Sequence, residues 1–232
     1  MHPGDLDYFP FPAPSYAIFG FLLLVLFIFI QLGLMRYVYM RIGLSPTMAM
    51  LVLFGSLAGS YVNIPVAQLP ESRIVSDQVV DFFGMSYVVP VVGNWPGTII
   101  AVNVGGAVIP TLLSLYLLIR NRIWLLGIVG TAIVAGFVHL VAHPIKGVGI
   151  AVPFIAPPLV AAIVAVLLSR WAAAPLAYIS GSLGTLIGAD VTNLDKLHGL
   201  GAPVASIGGA GTFDGIFVTG IVAVLLAALR PP

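Results

Sequence analysis

Cysteine is absent from the 232 residues, and charge is scarce: nine Lys and Arg and eight Asp and Glu make up 7% of the chain. Without cysteine, disulfides, thiolate metal ligands and thiol nucleophiles are all excluded. The scarcity of charge excludes an ordinary water-soluble surface, since soluble domains carry about 25% charged residues. The net charge is +1 and no basic cluster occurs, so nucleic acid is not an expected partner. What is abundant is apolar: 60% of the residues are hydrophobic. They lie in continuous runs of about twenty residues rather than the ten-residue alternation of a barrel, which points to membrane-spanning helices. The opening stretch, "MHPGDLDYFPFPAPSY", is acidic and proline-rich and lacks the basic start of a secretory signal.

The apolar runs predict seven spans, near 15–36, 46–62, 97–119, 123–141, 153–169, 172–190 and 207–229. Together they form an all-α polytopic membrane protein with a single domain over 1–232, placed in the cell membrane with the lipid bilayer as its surroundings. Seven spans put Arg36, Arg41, Arg120, Arg122, Arg170 and Arg230 on one side. The positive-inside rule makes that side cytoplasmic, with the N-terminus out and the C-terminus in. The other side receives Arg73, Lys146, Lys196 and all eight acids. The inner connections are short and the outer ones longer and more polar, which places the working face outside. One outer segment, "SRIVSDQVVDFFGMSYVVPVV" (72–92), reads as a short β-hairpin or a lid over the helix ends. Gly55/Gly59 and Gly184/Gly188, at four-residue spacing, read as close internal helix contacts.

Ionisable groups at membrane depth usually face a bundle interior or a wet cavity. At about 1.5 Å per residue, Asp190 lies about 27 Å up span six and His139 about 24 Å up span four. Asn103 lies about 9 Å below the outer side on span three. Asp214 lies about 8 Å below it on span seven, given a core of about 30 Å. Four spans thus place a polar group in the outer third. "SIGGAGTFDGIF" sets Gly208, Gly209 and Gly211 just ahead of Asp214. Such glycines expose backbone N–H groups to a ligand, or let a second backbone approach closely. "NVGGAVIP" breaks span three in the same manner, because Gly105 and Gly106 weaken the helix and Pro110 lacks an N–H. In "PFIAPPL", the prolines open span five. In "HLVAHPIKG", His139 and His143 stand at i, i+4, a spacing that puts two imidazoles on one helix face and can hold zinc. Pro144 and the missing glutamate of H-E-x-x-H argue instead for interfacial histidines and no cofactor.

"GADVTNLD" through "SIGGAGTFDGIFVTGIVAVLLA", with "NVGGAVIP" and "KGVGIAVPFIAPPL", resembles an uncharacterised archaeal and bacterial membrane family, domain of unknown function 1614. That resemblance implies a polytopic membrane protein and no activity. A weaker resemblance is to intramembrane aspartyl proteases, which carry one aspartate on each of two consecutive spans, as Asp190 and Asp214 are here. Their second aspartate lies in Gly-x-Gly-Asp, where this chain has "GAGTFDG", and "APPL" is similar to their Pro-Ala-Leu element on an earlier span. Site-two metalloproteases are also similar, in "HLVAH" and "FDG", with Leu140 in place of the glutamate.

The resulting expectation is a membrane-embedded aspartyl hydrolase with Asp190 and Asp214 catalytic. One carboxylate would activate water and the other donate to the scissile carbonyl of a membrane peptide. Asn103, Gly208, Gly209 and Gly211 are its candidate ligand-binding residues, and His139 and His143 the candidate metal ligands. Broken spans three and seven support an alternative, a transporter of an ion or small solute. A second alternative is a non-catalytic scaffold whose polar layer only seals the helix ends.

Overall fold

A computed structural model of the chain describes residues 21–22, 24–25, 40–70, 79–82, 85–88, 97–145, 149–197, 204–209 and 215–228. Most of the expected first span, the segments flanking the 79–88 hairpin, Lys146, and the 210–214 stretch with Gly211 and Asp214 lie outside the described residues.

Helix α1, Pro46–Gly59, begins where the Ser45 hydroxyl accepts from the Met48 N–H and Pro46 takes the first turn. Strand β1, Asn63–Gln68, follows. Strands β2 (Val79–Phe82) and β3 (Met85–Val88) form an antiparallel hairpin inside the segment expected to hold one. Strand β4, Ile99–Asn103, leads through a wide π-helical turn, Val104–Val108, into α2, Ile109–Asn121. Arg122, at φ 54°, ends α2, and α3 runs Trp124–Val141. The short pair β5 (His143–Ile145) and β6 (Gly149–Ala151) joins it to α4, Ala156–Leu168, whose first turn holds Pro157 and Pro158 as expected. Helix α5, Ala173–Thr185, widens into a second π-helical turn, Leu186–Asp190, and tightens into a 3₁₀ stretch, Val191–Leu197. Strand β7, Val204–Ile207, precedes α6, Gly215–Ala228.

The all-α expectation needs correction, because β1, β4 and β7 form a sheet in that order. β1 and β4 are antiparallel, with Asn63 opposite Asn103. β4 and β7 are parallel, with Ile99 opposite Val204 and Val102 opposite Ile207. Residues 99–103 were read as helix since a short apolar run fits a buried strand or a helix equally well. The same correction shortens the spans. Val104–Asn121 and Trp124–Val141 are long and apolar enough to cross a membrane, at 18 residues each. Pro46–Gly59 and Ala156–Leu168 are apolar but shorter, because strands and turns take over their ends, and Val218–Ala228 is a further apolar stretch.

The helices alternate in direction, so the connections sort by end. One end carries the short turns at 122–123 and 169–172, with Arg120, Arg122 and Arg170, and there Gly43 packs against the Arg120 side chain. The other end carries the strands, the hairpins and both π-helical turns. Between them α5 is the central helix: Leu176, Ala177, Tyr178 and Ile179 are fully buried. Gly184 and Gly188 let α3 lie close, at Val134 and Ala135, and Gly59 meets the backbone of Gly105. Both glycine pairs are therefore internal contacts. The outward faces remain apolar: Leu112 and Ile119 on α2, Leu125, Ile128 and Leu140 on α3, and Ile163 and Leu167 on α4 are exposed.

Candidate functional site

At the strand-bearing end, β4 and β7 run side by side and each ends in a glycine-rich turn. Asn103 closes β4. Its side chain is 1% exposed, and its Oδ1 accepts from the Gly106 N–H at 2.9 Å, the capping bond that starts the π-helical turn. Its Nδ2 donates to the Ser60 carbonyl at 2.7 Å and to Asn63 Oδ1 at 3.0 Å. Every polar atom of the Asn103 side chain therefore has a partner within the fold.

From Asn63 the network continues across the sheet. Ser206 Oγ donates to Asn63 Oδ1 at 2.6 Å, and the Gly209 N–H donates to the Ser206 carbonyl at 3.2 Å. The Gly208 N–H donates to Asp190 Oδ2 at 2.7 Å. Gly208 and Gly209 both have positive φ, 94° and 91°. A Cβ at Gly208 would stand 2.6 Å from the Ala107 nitrogen and 2.8 Å from the Gly106 carbonyl carbon. The glycines thus do what close backbone approach requires, admitting the first turn of span three. The acceptor at the Gly208 N–H is a carboxyl oxygen of the chain's own Asp190.

Asp190 is the last residue of the wide turn on α5. Beyond it, Asn193 Nδ2 donates to the Gly188 and Ala189 carbonyls, both at 2.9 Å, which satisfies groups freed where the helix tightens. Asn193 Oδ1 accepts from Lys196 Nζ at 2.6 Å. Thr192 Oγ1 donates to the Gly188 carbonyl and lies 2.8 Å from His139 Nδ1. Below this layer Ile216 of α6 packs against Ala107 and Leu186. Two helix starts and one helix end therefore converge beside Asp190.

Three of the four expected polar groups occupy this end. Asn103 and Asp190 are linked through hydrogen bonds joined by the Ser206–Gly209 backbone, while His139 joins the adjoining turn through Thr192. The fourth, Asp214, lies outside the described residues, as does Gly211. The paired-histidine expectation needs correction. Helix α3 ends at Val141, so His143 sits on β5 rather than on the helix face of His139. Its Nδ1 lies 2.7 Å from the Val141 carbonyl. Among the described residues no group of three or more His, Asp or Glu could hold a metal ion. Asn63, Ser206, Thr192, Asn193 and Lys196 were missed as members of the layer. Only Asn193 carried a signal, three residues beyond Asp190 in "GADVTNLD". A cavity of about 410 Å³ opens at the opposite end, lined by Leu126, Val166 and residues 167–171, and contains no carboxylate.

Residues 57–226 match the model of a family described as "Protein of unknown function (DUF1614)". No curated protein matches the chain, and no solved structure does. The weaker likenesses to aspartyl and site-two proteases find no counterpart in these comparisons.

Proposed function

Since the chain belongs to that family of unknown function, we propose its role from its own geometry: a seven-span protein of the cell membrane that passes a proton or small cation, with Asp190 as the binding carboxylate. The membrane assignment rests on the outward faces. Leu140 and Leu167 are each 79% exposed and stand among other exposed Leu, Ile and Met side chains, a surface far more apolar than a soluble monomer presents. The four described arginines fall at the short-turn end, which supports placing that end inside, with the N-terminus outside and the C-terminus inside.

The single observation that carries the ion reading is the place of Asp190. It stands where a widened helix end meets two strand-to-helix breaks, and its carboxylate is held by a backbone N–H next to two positive-φ glycines. Interrupted helices of this kind bind substrates and coupling ions in secondary transporters. A proton or cation on Asp190 competes with the Gly208 bond, so loading the site loosens the approach to α6. The test is flux into proteoliposomes of the purified protein, read with H⁺, Na⁺ and K⁺ dyes. Asp190→Asn should lower flux at least about tenfold, and Asp195→Asn should leave it unchanged. Equal flux with Asn at 190 refutes the assignment.

The packing of Ile216 against Leu186 favours a second reading. It puts the helix that follows Asp214 four residues from Asp190 along α5, as an aspartyl hydrolase acting on membrane peptides would need. In that case Asp190→Asn and Asp214→Asn each abolish cleavage of a reporter peptide in detergent. If neither flux nor cleavage responds, the scaffold reading stands.

A further inference from the structure

The buried Ser182 and Thr185 hydroxyls of α5 take no part in the Asp190 network. Ser182 is 0% exposed and Thr185 4%, and neither hydroxyl has a hydrogen-bond partner among the described residues. Buried polar groups are nearly always satisfied, and an orphan calls for an explanation such as water or an ion. The demand is stricter in a bilayer, where lipid offers no partner. Ser180, on the same helix, shows the ordinary alternative: its Oγ donates to the Leu176 carbonyl at 2.8 Å. Ser182 and Thr185 do not fold back in that way.

Packing fixes the direction of Ser182, and helix geometry that of Thr185. A Cβ on Gly220 of α6 would stand 2.4 Å from Ser182 Oγ and 3.1 Å from the Tyr178 ring, and Gly181 faces Thr219. At about 100° per residue, Tyr178, Ser182 and Thr185 lie within about 60° of one another on the side facing α6. An uninterrupted helix would carry residue 190 well off this line. The wide turn 186–190 holds one residue more than an α turn, so Asp190 takes the angular place of residue 189, about 20° from Tyr178. The stripe from Tyr178 to Asp190 spans about 16 Å, roughly half of a core of about 30 Å.

We propose that this stripe is a proton path: Asp190 passes protons along the Thr185, Ser182 and Tyr178 hydroxyls and intervening water toward the arginine-bearing end. The proposal rests on the ion-passing reading and names its ion. A proton fits better than a metal cation because the stripe offers hydroxyls and no second carboxylate. Each hydroxyl oxygen accepts one proton and releases its own onward, and Asp190 returns to the carboxylate bonded to Gly208, so the relay balances. Nearby, His139 is engaged with Thr192 and Lys196 with Asn193.

The experiment drives protons into proteoliposomes of the full-length protein with a potassium diffusion potential and reads an internal pH dye. Ser182→Ala and Thr185→Val should each lower the rate about tenfold. Thr185→Ser keeps a hydroxyl and should restore it, and Ser180→Ala should conduct like the parent. Thermal melts verify that each variant is folded. Ladder variants that conduct normally while Asp190→Asn is blocked overturn the path and leave the Asp190 site standing. No proton current in the parent protein overturns both.

Discussion

Asn103 shows how much one side chain organises. It ends a strand, caps a helix and ties both to the exit of α1, using its oxygen once and its nitrogen twice. Asn103→Ala would leave the Ser60 carbonyl and the Gly106 N–H buried without these partners. Each such orphan costs about 1–3 kcal/mol, so chemical denaturation in detergent should show a loss of that order or more. Asn103→Asp keeps the acceptor for Gly106 but sets a buried carboxyl oxygen against the Ser60 carbonyl and Asn63 Oδ1, both acceptors, and should destabilise at least as much as alanine. The residue was legible as a polar group in an apolar run. Its partners were not, since Ser60 and Asn63 lie some forty positions earlier and only the β1–β4 register brings them together.

At the level of elements, glycines decide how closely helices pack. A Cβ at Gly184 would stand 2.7 Å from the Val134 Cβ, whereas one at Gly136 meets nothing within 4 Å. Gly184→Leu should therefore force α3 and α5 apart and destabilise by about 1–3 kcal/mol. Gly136→Leu, on an exposed face, should leave the melting temperature unchanged or raised. Spacing alone revealed the Gly184/Gly188 contact, and prolines alone revealed the start of α4, because both rules are local. The strand Ile99–Asn103 and the π-helical form of the two turns were not readable, although Gly105 and Gly106 did mark a break at the first of them. "IIAV" is a short apolar run that fits a strand or a helix equally, and a π-helical turn depends on what surrounds it rather than on its own residues.

For the molecule as a whole, the absence of cysteine makes topology directly measurable. A single cysteine at Gln68, exposed on β1, should react with a membrane-impermeant maleimide in intact cells. One at Arg170, exposed between α4 and α5, should react only after permeabilisation. Labelling of the second site in intact cells would reverse the orientation. The expectation comes from the segregation of arginine from acid, because insertion responds to charge at loop ends and not to tertiary structure. The convergence of Asp190 with Gly208 was only half legible, since depth along a helix follows from counting and the neighbour across the bundle does not.

The parallel pairing of β4 with β7 also governs the order of assembly. Four helices separate the two strands, so β4 emerges long before its partner exists. Distant contacts form late, after nearer ones have narrowed the search. The hairpin at 79–88 and the helix pairs can settle during synthesis. The third strand, and with it the clasp between Gly208 and Asp190, closes only when the final helix arrives, so a chain truncated before residue 204 should insert yet never seal its outer end.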